Sequence, residues 1–171
     1  MTGYAEEEEF IPKFVELLAH PRAYYRDHLP GHITASAWII DENAENVLLL
    51  HHRKLDRWLQ PGGHADGDED VVRVAKKEVM EETGLQMFIA HSGIFDIDIH
   101  GIPARPDFPQ HYHYDIRFLL QVNGKSQLLI NDESHAVKWF SMNEISSVTN
   151  GGDSIVRMAT KTNGLFAGNK H

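Results

Sequence analysis

The feature that most constrains this chain is a segment of helical pattern that lies between glycines and carries three glutamates near its end. Residues 69–83 show helical periodicity, Gly62-Gly63 precedes them, and Gly84 occupies the position of a C-terminal cap. The spacing i, i+3 and i+4 places three carboxylates on one side of this helix: Glu78, Glu81 and Glu82. Their mutual repulsion and the helix dipole both destabilise such an arrangement unless something compensates for the charge.

Two interpretations of the three glutamates are open from their spacing. They can form a solvated acidic face, as on many surface helices. They can also bind a divalent cation, because carboxylate oxygens are the ligands that Mg²⁺ or Mn²⁺ favours, with a substrate phosphate completing the shell. Gly62-Gly63 favours the second interpretation, since glycine lets the backbone approach a ligand closely.

The composition points in the same direction. A formal net charge of −9 disfavours a nucleic-acid partner, because nucleic-acid binders usually have a basic surface. An acidic protein that handles anionic phosphates needs metal ions to bridge the two. Without cysteine, disulfides and thiolate metal sites are excluded. No apolar run has the length of a membrane helix, and the N-terminus lacks the pattern of a signal peptide. We therefore expect a cytoplasmic protein with no membrane partner.

The chain outside this helix predicts an α/β fold. Strand-like segments come before, between and after helical ones, which indicates a mixed sheet between helices in residues 31–171. The predicted strands are 32–41, 47–51, 86–90, 93–100, 111–121 and 136–140. The further predicted helices are 141–146 and 154–162. Residues 1–30 are predicted to be an N-terminal helical extension, with a helix over 6–18 and a short one over 21–28. A dimer contact is the alternative role of this extension.

The segment between the glycines resembles the box of the Nudix hydrolase family (MutT-like). That box reads Gly, five residues, Glu, seven residues, Arg-Glu-aliphatic, any residue, Glu-Glu, any residue, Gly-aliphatic. The matching positions are Gly63, Glu69, Glu78, Val79, Glu81, Glu82, Gly84 and Leu85. Lys77 stands where the family has Arg. The resemblance implies a Nudix-like α/β/α sandwich and a hydrolase that cleaves a phosphoanhydride bond in a nucleoside diphosphate linked to another moiety.

The resemblance also implies a metal site. Glu78, Glu81 and Glu82 would bind Mg²⁺ or Mn²⁺, and the backbone carbonyl of Gly62 or Gly63 would add a ligand close to the substrate. Family mechanisms imply attack of a metal-activated water on one phosphorus of the diphosphate. This chemistry is reasonable because the cations lower the pKa of the water and neutralise the phosphoryl oxygens.

One carboxylate of the site would act as general base. Glu81 and Glu82 are the first candidates, and Glu133 lies in a loop from which some family members supply this residue. Glu133 can equally be an exposed loop acid. Lys77 keeps the charge of the family Arg but loses its paired hydrogen bonds, so we expect reduced preorganisation rather than lost function.

Two predicted strands carry a second polar pattern. Asp96, Asp98 and His100 alternate along the first, and His111, His113, Asp115 and Arg117 alternate along the second. A hairpin across residues 101–110 would join them into one patch, which is either a salt-bridged sheet face or a pocket wall. In the pocket, Arg117 would bind phosphate and His113 would contact base or sugar. A metal site at these histidines is a weaker option, since His-x-His without a further ligand is a weak zinc signal.

His64, directly after the two glycines, is a further candidate for substrate contact or an exposed loop residue. The leading hypothesis is a metal-dependent enzyme acting on a small-molecule nucleoside diphosphate derivative. The alternative is a nucleotide-binding or sensing Nudix-like domain without catalysis, which the complete set of acids and the missing basic DNA-binding addition disfavour. The sequence leaves open which derivative is cleaved and whether the protein is a homodimer.

Overall fold

A mixed sheet of eight strands forms the centre of the part of the protein that the computed structural model describes, residues 4–124 and 127–169. The strands are β1 (Gly31–Asp41), β2 (Asn46–His52), β3 (Arg57–Leu59), β4 (Gly62–His64), β5 (Ile89–Ala90), β6 (Asp96–Ile102), β7 (His111–Val122) and β8 (Ser134–Ser141). The helices are α1 (Ala5–Leu18), α2 (Val71–Thr83), α3 (Ile145–Val148) and α4 (Asp153–Phe166), with 3-10 turns at Met142–Glu144 and Ala167–Asn169.

The central strand β1 organises the sheet. It pairs in parallel with β7 and antiparallel with β2 and β4, while β6 pairs antiparallel with β7 and β8 with β2. Residues 31–40 are all buried, as a strand covered on both faces requires. The predicted hairpin of β6 and β7 is confirmed, in the register that puts Asp96 opposite Arg117 and His100 opposite His113. The strands β1 and β2 form a second hairpin.

Helices cover both faces of the sheet. On one face, Val79 of α2 packs in a buried cluster with Ile39 of β1. On the other, Ile155 and Met158 of α4 pack with Trp38, whose indole N–H donates to Thr162 Oγ1 at 2.9 Å. Ile39 and Trp38 are neighbours on β1 and so point to opposite faces. The predicted α/β/α sandwich with a mixed sheet is therefore confirmed.

Helix α1 packs against this core. Its residues Phe14 and Leu17 are buried in a cluster with Ile33 and Ala35 of β1. Burial of side chains of this size contributes about 1.5–3 kcal/mol each. The predicted division of the chain at residue 30 stays a prediction. No helix in the described ranges is long and apolar enough to cross a membrane.

The structure differs from the predicted elements in several places, and two predicted strands are displaced or shortened: β5 covers only Ile89–Ala90 of 86–90, and β6 begins at Asp96 rather than at residue 93. The predicted short helix over 21–28 is wrong: this segment forms consecutive turns, because the carbonyl of Ala23 accepts from Ile33 of β1 instead of continuing a helix. The predicted loop before the box helix contains β3 and β4. Helix α2 begins at Val71 rather than at residue 69, because the Asp70 side chain caps it by accepting from the Arg73 N–H at 3.1 Å.

Candidate active site

The two glycines before α2 are required by close packing. In β4, Gly62 pairs with Ser36 and Gly63 with Ala35. A Cβ on Gly62 would meet the Ser36 side chain and lie 2.8 Å from the Ala35 carbonyl oxygen. A Cβ on Gly63 would lie 2.6 Å from the carboxyl carbon of Glu78. The glycines therefore let β4 lie directly against both the sheet and the acidic side of the helix.

The three acids of helix α2 differ in burial, and two of them, Glu78 and Glu82, contact β4. Val79 is fully buried under the helix, which fixes the rotation of α2 on the sheet. Glu82 is only 4% exposed and accepts a hydrogen bond from the Gly62 N–H at 2.9 Å. Glu78 is half-buried beside Gly63, and Glu81 is exposed. Gly84 closes the helix in the left-handed conformation, φ 75°, with its N–H donating to the Met80 carbonyl.

The electrostatics of this site favour a bound cation. Burial, reinforced by the charge of Glu78, raises the pKa of Glu82 to about 8, and the hydrogen bond from Gly62 only partly opposes this. Burial and the neighbouring Glu81 also raise the pKa of Glu78. Closely spaced hard oxygen donors whose ionised forms repel one another are the donor set that suits Mg²⁺ or Mn²⁺. The residues present therefore fit such an ion.

Lys77 compensates little of this negative charge. Its Nζ lies 3.7 Å from Glu81 Oε1, and both side chains are more than half exposed. An exposed pair of this kind contributes at most about 1 kcal/mol. Lys77 therefore gives Glu81 a loose electrostatic neighbour, not the fixed fork that an Arg would supply.

Glu133 lies in the loop before β8 and is exposed. The loop is held by a hydrogen bond from the Arg53 N–H to the Glu133 carbonyl at 2.9 Å. The carboxylate is near enough to raise the pKa of both Glu78 and Glu82. The structure thus brings this distant residue towards the acids of α2.

A sequence model described as NUDIX domain matches residues 30–158, which includes all of the acidic helix and Glu133. The chain belongs to the Nudix family. This confirms the family assignment drawn from the box, and the Nudix core accounts for the sheet, α2 and most of the segment up to α4.

Two curated relatives of this Nudix protein share part of its sequence. A protein of Bacillus subtilis (strain 168) named "Putative 8-oxo-dGTP diphosphatase" is 25% identical over 147 residues, 78% of this chain and 91% of the relative. "Nucleoside diphosphate-linked moiety X motif 6" of Xenopus laevis is 36% identical over 63 residues, which span 33% of this chain and 29% of that protein.

Solved Nudix structures share the fold. A binary complex of the C. elegans Ap4A hydrolase aligns with a TM-score of 0.65 at 19% identity, over 80% of this chain and 98% of the other. A MutT protein from Methanosarcina mazei Go1 aligns with a TM-score of 0.62 at 20% identity, over 83% and 97%. At this identity the likeness establishes the fold alone.

Arg117 was predicted to bind phosphate, but the structure places it in a buried ionic network. Arg117 is 2% exposed, and its nitrogens donate to Asp115 at 2.9 Å, Asp96 at 3.1 Å and Asp98 at 3.2 Å. The aspartate and arginine part of the patch on β6 and β7 is therefore a salt-bridged sheet face. The prediction that Arg117 binds phosphate is not supported, because each of its donor nitrogens already has a carboxylate partner.

This ionic network extends into both terminal helices. Arg157 of α4 donates to Asp96 through two nitrogens at 2.9 Å each. Lys161 of α4 donates to Asp96 at 2.8 Å and to the buried Glu7 of α1 at 2.6 Å. Glu7, Arg157 and Lys161 were not predicted from the sequence, because partners so far apart in the chain give no local pattern.

The side chains of His64 and His113 contact each other. Their ring centroids are 5.0 Å apart, and both are half-buried. Burial lowers the pKa of His64 to about 4 and that of His113 to about 2, with neighbouring charges adding to the effect. Both rings are therefore neutral near pH 7 and cannot attract phosphate as cations.

Gln60 and His32 are polar groups that the sequence analysis missed. Gln60 Nε2 donates to Ser36 Oγ at 3.3 Å, while its Oε1 is buried without a hydrogen-bond partner among the described residues. His32 is 1% exposed. A glutamine just before Pro61-Gly62 and a histidine opening a buried strand are the only sequence signals for them.

Proposed function

We propose that this Nudix hydrolase cleaves a phosphoanhydride bond in a nucleoside diphosphate derivative and depends on Mg²⁺ or Mn²⁺ held by Glu78, Glu81 and Glu82. The observation that carries the proposal is the contact between α2 and β4, where Glu82 is fixed by the Gly62 N–H and Glu78 lies against Gly63. This contact brings Glu78, Glu82 and the glycine backbone together, as binding of a cation and a diphosphate would require.

Each acid has a different part in this proposal. Glu82 is buried and hydrogen-bonded, so it is held in one orientation and serves as a metal ligand. Glu78 is the second ligand, and the backbone carbonyl of Gly62 or Gly63 would be a further ligand. Glu81 is the exposed third ligand. When bound, the cation neutralises phosphoryl charge and lowers the pKa of a coordinated water.

The general base is proposed to be Glu133 or Glu81. Both side chains are exposed and lie near the buried acids, whereas Glu82 is held by its hydrogen bond. A base must reach the attacking water directly or through one further water. The variant Glu133→Gln distinguishes the two: if Glu133 is the base, kcat falls while metal affinity is unchanged, and if Glu81 is the base, kcat is unchanged. Glu81→Gln lowers metal affinity in either case, because Glu81 is also a proposed ligand.

The substrate class follows from the relatives only in outline. The names of two of them refer to a nucleoside triphosphate and to a nucleoside diphosphate linked to another moiety. We propose a small-molecule substrate of this kind, with the glycine backbone of Gly62 and Gly63 near its phosphates. A contact of His64 or His113 with base or sugar is the alternative that the sequence predicts.

A substrate panel tests the proposal. Nucleoside triphosphates, dinucleoside polyphosphates, ADP-ribose and nucleotide sugars are incubated with the full chain and either Mg²⁺ or Mn²⁺, and phosphate or pyrophosphate release is measured. We expect turnover of at least one class that disappears on chelation. Tight nucleotide binding by calorimetry with no product from any class would instead establish the non-catalytic binding function.

A further inference from the structure

Histidine rings from four strands pack together on one face of the sheet, in a group that we call the histidine cluster. Its members are His32 of β1, His64 of β4, His100 of β6, and His111 and His113 of β7. Contacting rings in the cluster have centroids 5.0–5.4 Å apart. The strand registers bring them together, since His113 pairs with both His32 and His100.

The ring nitrogens of the cluster converge. His32, His64 and His113 each offer one nitrogen, and these atoms lie within 4.8 Å of one another. The Nε2 atoms of His111 and His113 are 3.2 Å apart. In a tetrahedral zinc site with bonds of about 2.0–2.1 Å, ligand nitrogens lie about 3.3–3.4 Å apart. One pair thus already has nearly the separation of metal ligands.

The outer hydrogen bonds of the cluster leave lone pairs directed inwards. Nδ1 of His32 lies 3.3 Å from the His28 carbonyl oxygen, and Nδ1 of His111 lies 2.9 Å from the Pro109 carbonyl oxygen. A carbonyl only accepts, so each Nδ1 carries the hydrogen and each Nε2 keeps its lone pair. Nε2 of His32 is buried with no hydrogen-bond partner in the described part of the chain.

This is the outer shell that metal-binding histidines use. Histidines that bind a metal donate their second N–H to a backbone carbonyl or a carboxylate, which fixes the tautomer and the ring orientation. The His28 and Pro109 carbonyls fill this place for His32 and His111. Asp98 gives His100 a carboxylate partner of the same kind, with Nδ1 and Oδ2 3.2 Å apart.

We propose that the histidine cluster binds one transition-metal ion of the zinc class through His32, His64, His111 and His113. Imidazole nitrogens select such ions, whereas the oxygen donors of α2 select Mg²⁺ or Mn²⁺. This site would therefore be separate from the acidic one. Because His64 directly follows Gly63, the bound ion would tie the glycine strand to β1 and β7. In this proposal His64 and His113 are metal ligands and not substrate contacts.

Metal analysis of the full chain tests the proposal. The protein is stripped with a chelator, incubated with Zn²⁺, desalted and measured by mass spectrometry. We expect about one Zn²⁺ per chain to be retained, as a single four-ligand site requires. Titration with Co²⁺ should produce visible ligand-field absorption typical of a tetrahedral site. X-ray absorption of the zinc form should show nitrogen ligands at about 2.0–2.1 Å. This last measurement needs no variant.

Variants locate the ion. His32→Gln and His113→Gln should weaken Zn²⁺ binding by about 10-fold or more, since each removes a ligand. The matched control is His91→Gln, because His91 bonds to Gln121 outside the cluster and its loss should leave the zinc content unchanged. The double variant Glu78→Gln with Glu82→Gln should keep Zn²⁺ and lose binding of Mg²⁺.

Three results would overturn the proposal. The first is a wild-type protein that retains no Zn²⁺ and shows no Co²⁺ absorption. The second is Zn²⁺ binding that disappears in the double glutamate variant and survives in the histidine variants. The third is an unchanged zinc content in the His32 and His113 variants with a raised KM for nucleotide, which would make the cluster part of the substrate pocket. The substrate panel tests the hydrolase proposal independently of these zinc measurements.

Discussion

The backbone N–H of Gly62 donates to Oε2 of the buried Glu82 across 2.9 Å, joining the glycine strand to the Nudix helix. This hydrogen bond orients a carboxyl group whose pKa burial raises to about 8, so that without a cation it is protonated near neutral pH. It also links the position of β4 to the protonation state of Glu82. The predictions for the acidic site follow from this pair.

Replacement of Glu82 by Gln removes the charge but keeps an acceptor for the Gly62 N–H. We expect kcat/KM to fall by about 100-fold or more, because loss of a metal ligand costs several kcal/mol of transition-state stabilisation. The circular dichroism melt should be unchanged or slightly higher. Glu9→Gln on the exposed side of α1 is the control. Wild-type turnover by Glu82→Gln would remove Glu82 from the metal site.

The stability of the metal-free protein should fall as the pH rises from about 4.5 to about 8. The folded pKa of Glu82 is raised from 4.5 to about 8, so the native state holds a proton in this range that the unfolded state has released. Unfolding free energy therefore decreases with pH, by an amount on the order of a few kcal/mol. Urea titrations at several pH values measure it.

The same experiment has two internal checks. Saturating Mg²⁺ should restore stability at pH 8, because the ion binds the ionised native form. Glu82→Gln should flatten the pH profile, since the titrating group is gone. A profile of equal slope in this variant would assign the effect to another group.

Replacement of Gly63 by Ala should displace Glu78, because the new Cβ would lie 2.6 Å from its carboxyl carbon. We expect Mg²⁺ affinity to weaken by about 10-fold, the lower end of the cost of disturbing a metal's supporting contacts. Calorimetry measures the affinity. Gly164→Ala, in open space on α4, is the control and should stabilise the protein by about 0.5–1 kcal/mol. Equal affinity in both variants would contradict the packing argument.

Replacement of Arg117 by Met should destabilise the protein without changing KM. The change leaves Asp96, Asp98 and Asp115 short of a buried cation, and removing one partner of a buried ion pair costs about 3–5 kcal/mol. Denaturant unfolding gives the stability, and kinetics well below the melting temperature give KM. A raised KM at near-normal stability would return Arg117 to the substrate site.

Replacement of Lys77 by Arg should restore the paired hydrogen bonds that the family residue supplies. We expect kcat to rise by a few-fold, since exposed interactions on this side of α2 are worth about 1 kcal/mol or less. Stability should change little. A fall in kcat would show that this site is adapted to lysine.

The sequence predicted the parts of the protein that depend on local pattern. Alternation along β6 and β7 predicted the hairpin and the shared face of Arg117 and Asp96, and the box predicted α2 with its glycine cap. The structural role of Arg117 could not be predicted, because its ionic network is completed by Arg157 and Lys161 from a helix some forty residues later. A tertiary hydrogen bond from Ile33 likewise prevented the helix predicted over 21–28.

The histidine cluster was hidden from the sequence for a related reason. His111 and His113 form a local pattern, but His32 and His64 reach them only through the pairing of β1 with β7 and β4. Strand order across a sheet is a global property, so a ligand set spread over three strands cannot be recognised from spacing.

Lys161 joins Glu7 near the start of the chain to Asp96 in the sheet, and this bears on how the protein can be dissected. A fragment cut to the matched segment 30–158 would lose both Glu7 and Lys161 and leave Asp96 with fewer cations in an apolar interior. Helix α2 would still be present, but Asp96 in the sheet would lack the compensating charge of Lys161. We therefore expect a fragment of residues 30–158 to be less stable than the whole chain.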